Sequence, residues 1–407
     1  IGHAEVIALR PEGARVLLYG HNEGLGKGDP VTILRDGLGS RISSDLVGRV
    51  VDGLGRPVDG SAAIDGEPVN VVAPAPDPLS RMRITSPMPT GVRLIDTFCT
   101  AGKGQRIGIF GGSGVGKSTL LGMMARGTGA DVAVLALIGE RGREVCEFIE
   151  DELGPEGMSR SIVVVATSDE PPLMRLRAAL LATRIAEWFS DRGSDVLLMM
   201  DSLTRLAMAQ REIGLAAGEP PTARGYTPSV FALMAGLLER AGPRARGTIT
   251  GFYTVLVEGD DMNDPIADAA RSILDGHLVL DRRIAVAGRY PAIDPLSSLS
   301  RLAPKLVNPA RIELVAAARN AMAAADEVRE LVEVGAYVPG SNPAADRGML
   351  ALPQLTEFMR QDASEVTGYE AAWDDLEKLP YGEEHFDGVY GRYLFNYFVL
   401  DDARRLV

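Results

Sequence analysis

The chain has 407 residues, of which 46% are hydrophobic and 24% charged, and its formal net charge is -13. That length is too great for one compact core and suits two or three domains, while the ordinary composition excludes disordered and fibrous classes. The acidic excess repels polyanions, which argues against wrapping nucleic acid.

The longest apolar runs, such as Val132 to Ile138 and Val196 to Met200, fall far short of the roughly 18 residues that a membrane-crossing helix needs. Ile1 to Leu9 carry no secretion signal, and a start at Ile1 rather than Met leads us to expect a piece of a longer chain. Two cysteines, Cys99 and Cys146, point to a reducing compartment without a disulfide framework.

Residues 1–72 alternate short β-prone runs with glycine and proline breakers. The runs are Glu5 to Leu9, Arg15 to Tyr19, Pro30 to Leu34 and Leu46 to Val51, separated by Pro11, Gly13, Gly24, Gly26, Gly28, Gly37 and Gly39. Such spacing predicts a small β-barrel, incomplete because four strands close no ordinary barrel. The proline-dense passage Val72 to Pro89 discourages helix and sheet alike and marks the first boundary.

Residues 73–305 read as an α/β domain with an open, mostly parallel sheet. Its predicted strands are Arg106 to Phe110, Val132 to Ile138, Ser161 to Ala166, Val196 to Met200 and Thr248 to Leu256. Several are apolar without alternation, as strands buried on both faces must be. Residues 306–407 read as helical, with Ile312, Val315, Met322, Val328, Leu331 and Val332 at helical spacing. An aromatic-rich tail follows Arg360, including Tyr393, Phe395, Tyr397 and Phe398. It is either a terminal element packed on its own domain or a docking surface.

Gly111-Gly112-Ser113-Gly114-Val115-Gly116-Lys117-Ser118 fits the pattern G-x-x-x-x-G-K-[ST] between a predicted strand and a predicted helix, followed by Thr119. Glycines let successive N–H groups and the helix N-terminus point at phosphates. Lys117 supplies charge to the β and γ phosphates of ATP, and the Ser118 hydroxyl completes a Mg2+ shell.

Hydrolysis also needs a metal partner and a positioned water. Asp201 ends the apolar strand from Val196 and is the candidate that holds Mg2+ through water, although acids at strand ends also cap helices. Glu140, after Val132 to Ile138, is the candidate base for the attacking water. Arg141 and Arg205 are candidates to contact the γ-phosphate, since the planar guanidinium makes paired bonds to phosphate oxygens.

Three segments, Gly139 to Val145, Asp201 to Arg205 and Tyr253 to Pro265, closely resemble the flagellar and type III secretion export ATPases, relatives of the catalytic subunit of rotary ATP synthases. Pro291 to Ser300 fits a pattern of the wider rotary superfamily. The resemblance covers roughly residues 46–360. It implies a RecA-like P-loop core and an ATPase that acts as a ring, releasing chaperones from export substrates and unfolding them.

By the same resemblance Arg301 reaches into the neighbouring subunit's site, and Tyr290 packs on the adenine. The implied partners are further copies in a hexamer, a regulatory stator-like stalk protein, a central coiled-coil stalk protein, an export gate and chaperone–substrate complexes, with no specific nucleic acid. The implied location is cytoplasmic, peripheral at the inner face of the cytoplasmic membrane. Asn263 to Asp268 and Gly288 to Tyr290 resemble the flagellar form more closely.

Cys146 departs from the family, which usually carries arginine there. The sequence also starts after the segment through which such ATPases bind their regulatory partner, and its aromatic tail does not match the family's ending. Other readings are an ion-coupled synthase subunit, an RNA-translocating ring helicase and a non-catalytic nucleotide-binding ring subunit. Gly142 in place of the synthase threonine and the lack of an acidic lever after Ala310 argue against the first. The acidic charge argues against the second, and Glu140 against the third.

Overall fold

The computed structural model describes residues 2–20, 24–26, 28–34, 38–257 and 264–379. In chain order the strands are β1 (Ala4–Arg10), β2 (Gly13–Leu18), β3 (Ser40–Ile42), β4 (Val50–Asp52), β5 (Glu67–Val69), β6 (Arg106–Gly111), β7 (Val132–Glu140), β8 (Ser161–Thr167), β9 (Asp195–Asp201), β10 (Gly242–Pro243), β11 (Thr248–Leu256), β12 (Gly276–Val279) and β13 (Leu299–Ser300). Among the described residues, nine of them form one sheet in the order β13-β12-β6-β11-β9-β7-β8-β4, with β10 on β11. The β6, β7, β8, β9 and β11 pairings are parallel, so the carboxyl ends of these strands share one edge.

The five strands expected in the core are all present, within two residues of their predicted ends. Their lack of alternation has a direct cause in the packing. In β7, Val132, Val134, Ala136 and Ile138 join the core on one face, while Ala133, Leu135 and Leu137 join the core on the other. A pleated strand sends successive side chains to opposite faces, and here both faces are covered. Helices Pro172–Asp191, Leu203–Ala217 and Pro228–Leu238 cover the first face. Helices Arg93–Phe98 and Lys117–Gly127 cover the second, joined there by the C-terminal helices Pro309–Glu333, Pro343–Met359 and Tyr369–Glu377.

The C-terminal part is helical as expected, and its longest helix, Pro309–Glu333, begins on an Asn308 side chain that accepts from the Arg311 N–H. Tyr369 and Trp373 pack edge to face at 6.4 Å, with Trp373 fully buried. The later tail aromatics, Tyr393, Phe395, Tyr397 and Phe398 among them, lie outside the described residues. No helix among the described residues is long and apolar enough to cross a membrane.

In the N-terminal part the predicted runs Glu5 to Leu9 and Arg15 to Tyr19 fall on β1 and β2, and the other two runs depart from expectation. β1 and β2 form an antiparallel hairpin, and β3 and β5, which the pattern did not reveal, pair separately. Pro30 to Leu34 makes no strand: Val31 and Ile33 are 89% and 84% exposed, so nothing rewards pairing there, and Pro30 has no N–H to give. Leu46 to Val51 divides into a 3-10 turn, Ser44–Leu46, and β4, which pairs in parallel with β8 of the central sheet.

Candidate active site

β6 runs straight into the phosphate-type loop and the loop into helix Lys117–Gly127. Gly114 and Gly116 have φ of 76° and 89°, the left-handed region where a Cβ is strained. A Cβ on Gly114 would meet nothing within 4 Å, so the turn faces open space. A Cβ on Gly116 would come within 3.3 Å of the Tyr290 ring, which places that aromatic against the loop. The Tyr290 carbonyl accepts from the Gln361 N–H at 2.9 Å, tying it to the C-terminal helical part.

Lys117 is buried, and its Nζ donates to the Gly111 carbonyl at 3.1 Å and to the Gly112 carbonyl. Burial lowers its pKa, opposed by the charges of Asp201 and Glu140. Ser118 is exposed in the first turn of the helix. Thr119 turns its hydroxyl away, donating to Glu152 at 2.6 Å, which leaves its backbone to serve a phosphate.

The acids arrive at the same edge because β7, β9 and β11 run parallel to β6. Asp201 ends β9, is buried, and accepts at 2.5 Å from the hydroxyl of Thr254 on the intervening β11. Burial raises its pKa; the Thr254 bond and the charges of Lys117 and Arg205 oppose this. Glu140 ends β7, and burial together with Asp201 pushes it up to about 8. Arg205 pairs with Glu140 at 3.0 Å and also donates to the Gly139 carbonyl. Ser202 sets that arginine by capping helix Leu203–Ala217, its hydroxyl accepting from the Arg205 N–H at 3.3 Å.

Burial pushes both carboxyls toward protonation, and the Asp201 charge pushes Glu140 further, so a cation beside them would be favoured. Among the described residues no cluster of three or more His, Cys, Asp or Glu is built to hold a metal. The Ser118 hydroxyl and the Asp201 carboxylate are a donor set that fits Mg2+, which keeps several waters and takes its remaining oxygens from one or two protein groups and from phosphates.

Some expected residues stand elsewhere. The Arg141 side chain is 74% exposed and pairs with Glu144 at 3.0 Å rather than turning to the loop. Cys146 is an exposed free thiol. Arg301 lies at the opposite edge of the sheet. Its N–H donates to the Asp275 carbonyl at 3.0 Å and the Asp275 N–H to the Arg106 carbonyl at 2.8 Å, so it is level with the start of β6. The length of β6 therefore separates it from its own loop, about 17 Å at the usual rise. Its guanidinium is exposed apart from a 3.2 Å bond to the Arg271 carbonyl.

Thr254 was missed from the sequence, although a hydroxyl within an apolar strand buried on both faces must have a partner. The Gly53 to Arg56 turn, closed on Asp52, and the Gly139 turn at φ 70° likewise escaped notice.

Comparison with known proteins accords with this geometry. The nucleotide-binding domain of the ATP synthase alpha/beta family matches residues 91–300, and the C-terminal domain of the type III secretion ATPase EscN matches residues 307–378. The flagellum-specific ATP synthase of Bacillus subtilis is 50% identical over 382 residues, 94% of this chain and 87% of that protein. The assembled ATPase EscN of the enteropathogenic E. coli type III secretion system superposes with a TM-score of 0.89 at 45% identity, covering 93% of this chain and 92% of that one. EscN in complex with its central stalk EscO superposes with a TM-score of 0.86 at 44% identity, covering 92% and 91%. The chain belongs to the ATP synthase alpha/beta family, in its branch of flagellar and type III secretion ATPases, and its activity is ATP hydrolysis.

Proposed function

We propose that this chain hydrolyses Mg-ATP as one subunit of a homohexameric ring in a protein export apparatus, the flagellar form being favoured. The convergence of Lys117, Asp201, Glu140 and Arg205 on the loop edge of the sheet carries this reading. Of the flagellar-leaning segment, Asn263 lies outside the described residues, and Asp264 caps helix Pro265–Ile273.

In this reading the backbone of Gly111, Gly112, Ser113, Gly114, Val115, Gly116, Lys117, Ser118 and Thr119 cradles the phosphates. Lys117 exchanges its carbonyl contacts for phosphate oxygens. Ser118 and Asp201 hold Mg2+, and Thr254 keeps the Asp201 carboxylate oriented. When bound, Mg2+ supplies charge neutralisation at the phosphates. Glu140 takes the proton of the attacking water, with Arg205 holding the carboxylate in place. Arg141 swings from Glu144 toward the γ-phosphate, and Tyr290, already against Gly116, stacks on the adenine. Arg301 acts in trans on the neighbouring subunit's phosphates.

The related EscN is known as an assembled ATPase and in complex with its central stalk EscO. By analogy this chain assembles with copies of itself and engages a central coiled-coil stalk. The proposal extends to a stator-like regulatory protein, an export gate and chaperone–substrate complexes that the ring releases and unfolds, at the inner face of the cytoplasmic membrane. Glu140→Gln tests the reading: it keeps the shape but removes the base, so ATP binding persists while turnover collapses. Near-normal turnover would refute the role.

A further inference from the structure

The backbone that presents Arg301 is held at its root by a buried glutamine. Gln105 immediately precedes β6 and is fully buried. Its carbonyl accepts from the Gly251 N–H at 2.9 Å, so β11 fixes its main chain. The Gly102 N–H donates to its Oε1 at 2.9 Å, which orients the amide and turns Nε2 to the other side. Nε2 then donates to the Ser300 hydroxyl at 3.0 Å and to the Asp275 carbonyl at 3.1 Å. That carbonyl is the one that accepts from the Arg301 N–H.

One side chain therefore bonds the residue before Arg301 and the group that holds the amide of Arg301 itself. Ser300 is pinned further, its hydroxyl donating to the Thr100 carbonyl at 2.8 Å. β12 and β13 are pressed close at this point. A Cβ on Gly276 would meet the Leu299 carbonyl at 2.6 Å and Gln105 Nε2 at 3.4 Å. A fully buried amide is costly unless its donors and acceptor are satisfied, and here the satisfied partners lie at the base of Arg301.

None of these partners lies at the phosphate loop, which is at the other end of β6. We propose that Gln105 is a positioning residue for the neighbouring subunit's reaction: it fixes the backbone of Ser300 and Arg301 so that the guanidinium crosses the interface in register. This rests on the trans role of Arg301 proposed above. A misplacement of about 1 Å at a catalytic group costs on the order of a hundredfold in rate, so a loosened root has a measurable effect.

The test uses the full-length chain and three variants: Gln105→Met, which keeps the volume and removes the amide, Arg301→Ala and Lys117→Ala. Binding of a fluorescent ATP analogue and the far-UV circular dichroism spectrum report on each subunit's own loop and fold. The expected result is a Gln105→Met variant with unchanged analogue affinity and KM, and kcat lowered between about tenfold and a hundredfold. Mixed with Lys117→Ala, it should regain activity, because its intact loop then faces an intact Arg301.

Normal kcat for Gln105→Met overturns the proposal. Rescue of Arg301→Ala by Lys117→Ala without rescue of Gln105→Met also overturns it, and assigns Gln105 to its own subunit's fold. Rescue of neither overturns the trans role of Arg301 itself. If Gln105→Met fails to fold, Ser300→Ala replaces it, removing the hydroxyl that Nε2 reaches, under the same expectations.

Discussion

The two edges of the central sheet are built from the same strands and solve different problems. At the carboxyl edge, glycines and short loops leave open space, and Lys117 and Asp201 are buried and Glu140 half-buried around it, where burial lowers the pKa of the lysine and raises those of the two acids. At the amino edge, polar groups are matched with one another: Arg106 pairs with Asp275 at 3.1 Å and with Glu239, Arg81 with Glu239 at 3.2 Å, and Gln105 with Ser300. An edge that awaits a ligand keeps desolvated ionisable groups beside open space. An edge that must present one side chain outward keeps a satisfied, rigid base. Functional groups are tuned by what is missing around them, and presented groups by what is complete behind them.

The sharpest way to break this comparison is Glu140→Gln. Loss of the base should lower kcat by about 10²- to 10⁴-fold with ATP-analogue binding retained; a change in binding alone would place Glu140 in ground-state contact with nucleotide. Next comes Arg301→Ala, where removal of one charge-stabilising donor should cost about 10²- to 10³-fold in kcat. Activity measured across mixing ratios with Lys117→Ala should recover in part, and no recovery at any ratio would overturn the action of Arg301 in trans.

A smaller effect is expected from Thr254→Val, which takes away the hydroxyl that donates to Asp201. The Mg2+ concentration for half-maximal turnover should rise about tenfold, as for other residues that orient a metal ligand, with saturating kcat little changed. The smallest belongs to the exposed pair Arg143–Glu147, 68% and 52% exposed. Arg143→Ala should shift stability in urea by no more than about 0.5 kcal/mol, a useful control because it lies within the segment that resembles the export ATPases.

Much of the carboxyl edge was legible before any fold was known. The spacing of Gly111 to Ser118 states the backbone geometry it needs, and the unbroken apolar run of Val132 to Ile138 can only be a strand covered on both sides. Each signal is complete within a few residues. Arg205 was legible as a candidate for this edge, but its pairing with Glu140 was not, since that depends on β7 and β9 lying side by side. Thr254 was hidden for the same reason, because nothing in β11 says that Asp201 is its neighbour. β4 reads as part of an N-terminal sheet, and only its pairing with β8 makes it the last strand of the core.

The sequence by itself determined the phosphate loop, the five core strands, the helical C-terminal part and the family, since all of these are written in local spacing and contiguous motifs. Tertiary structure alone decided which strands adjoin, that Tyr290 lies on Gly116, that Arg141 faces away, and that Arg301 stands a full strand's length from its own loop on a root that Gln105 holds. Those facts join residues up to 195 positions apart, as between Gln105 and Ser300. Contacts of that range form only when burial brings the strands into one sheet, and no local pattern encodes them.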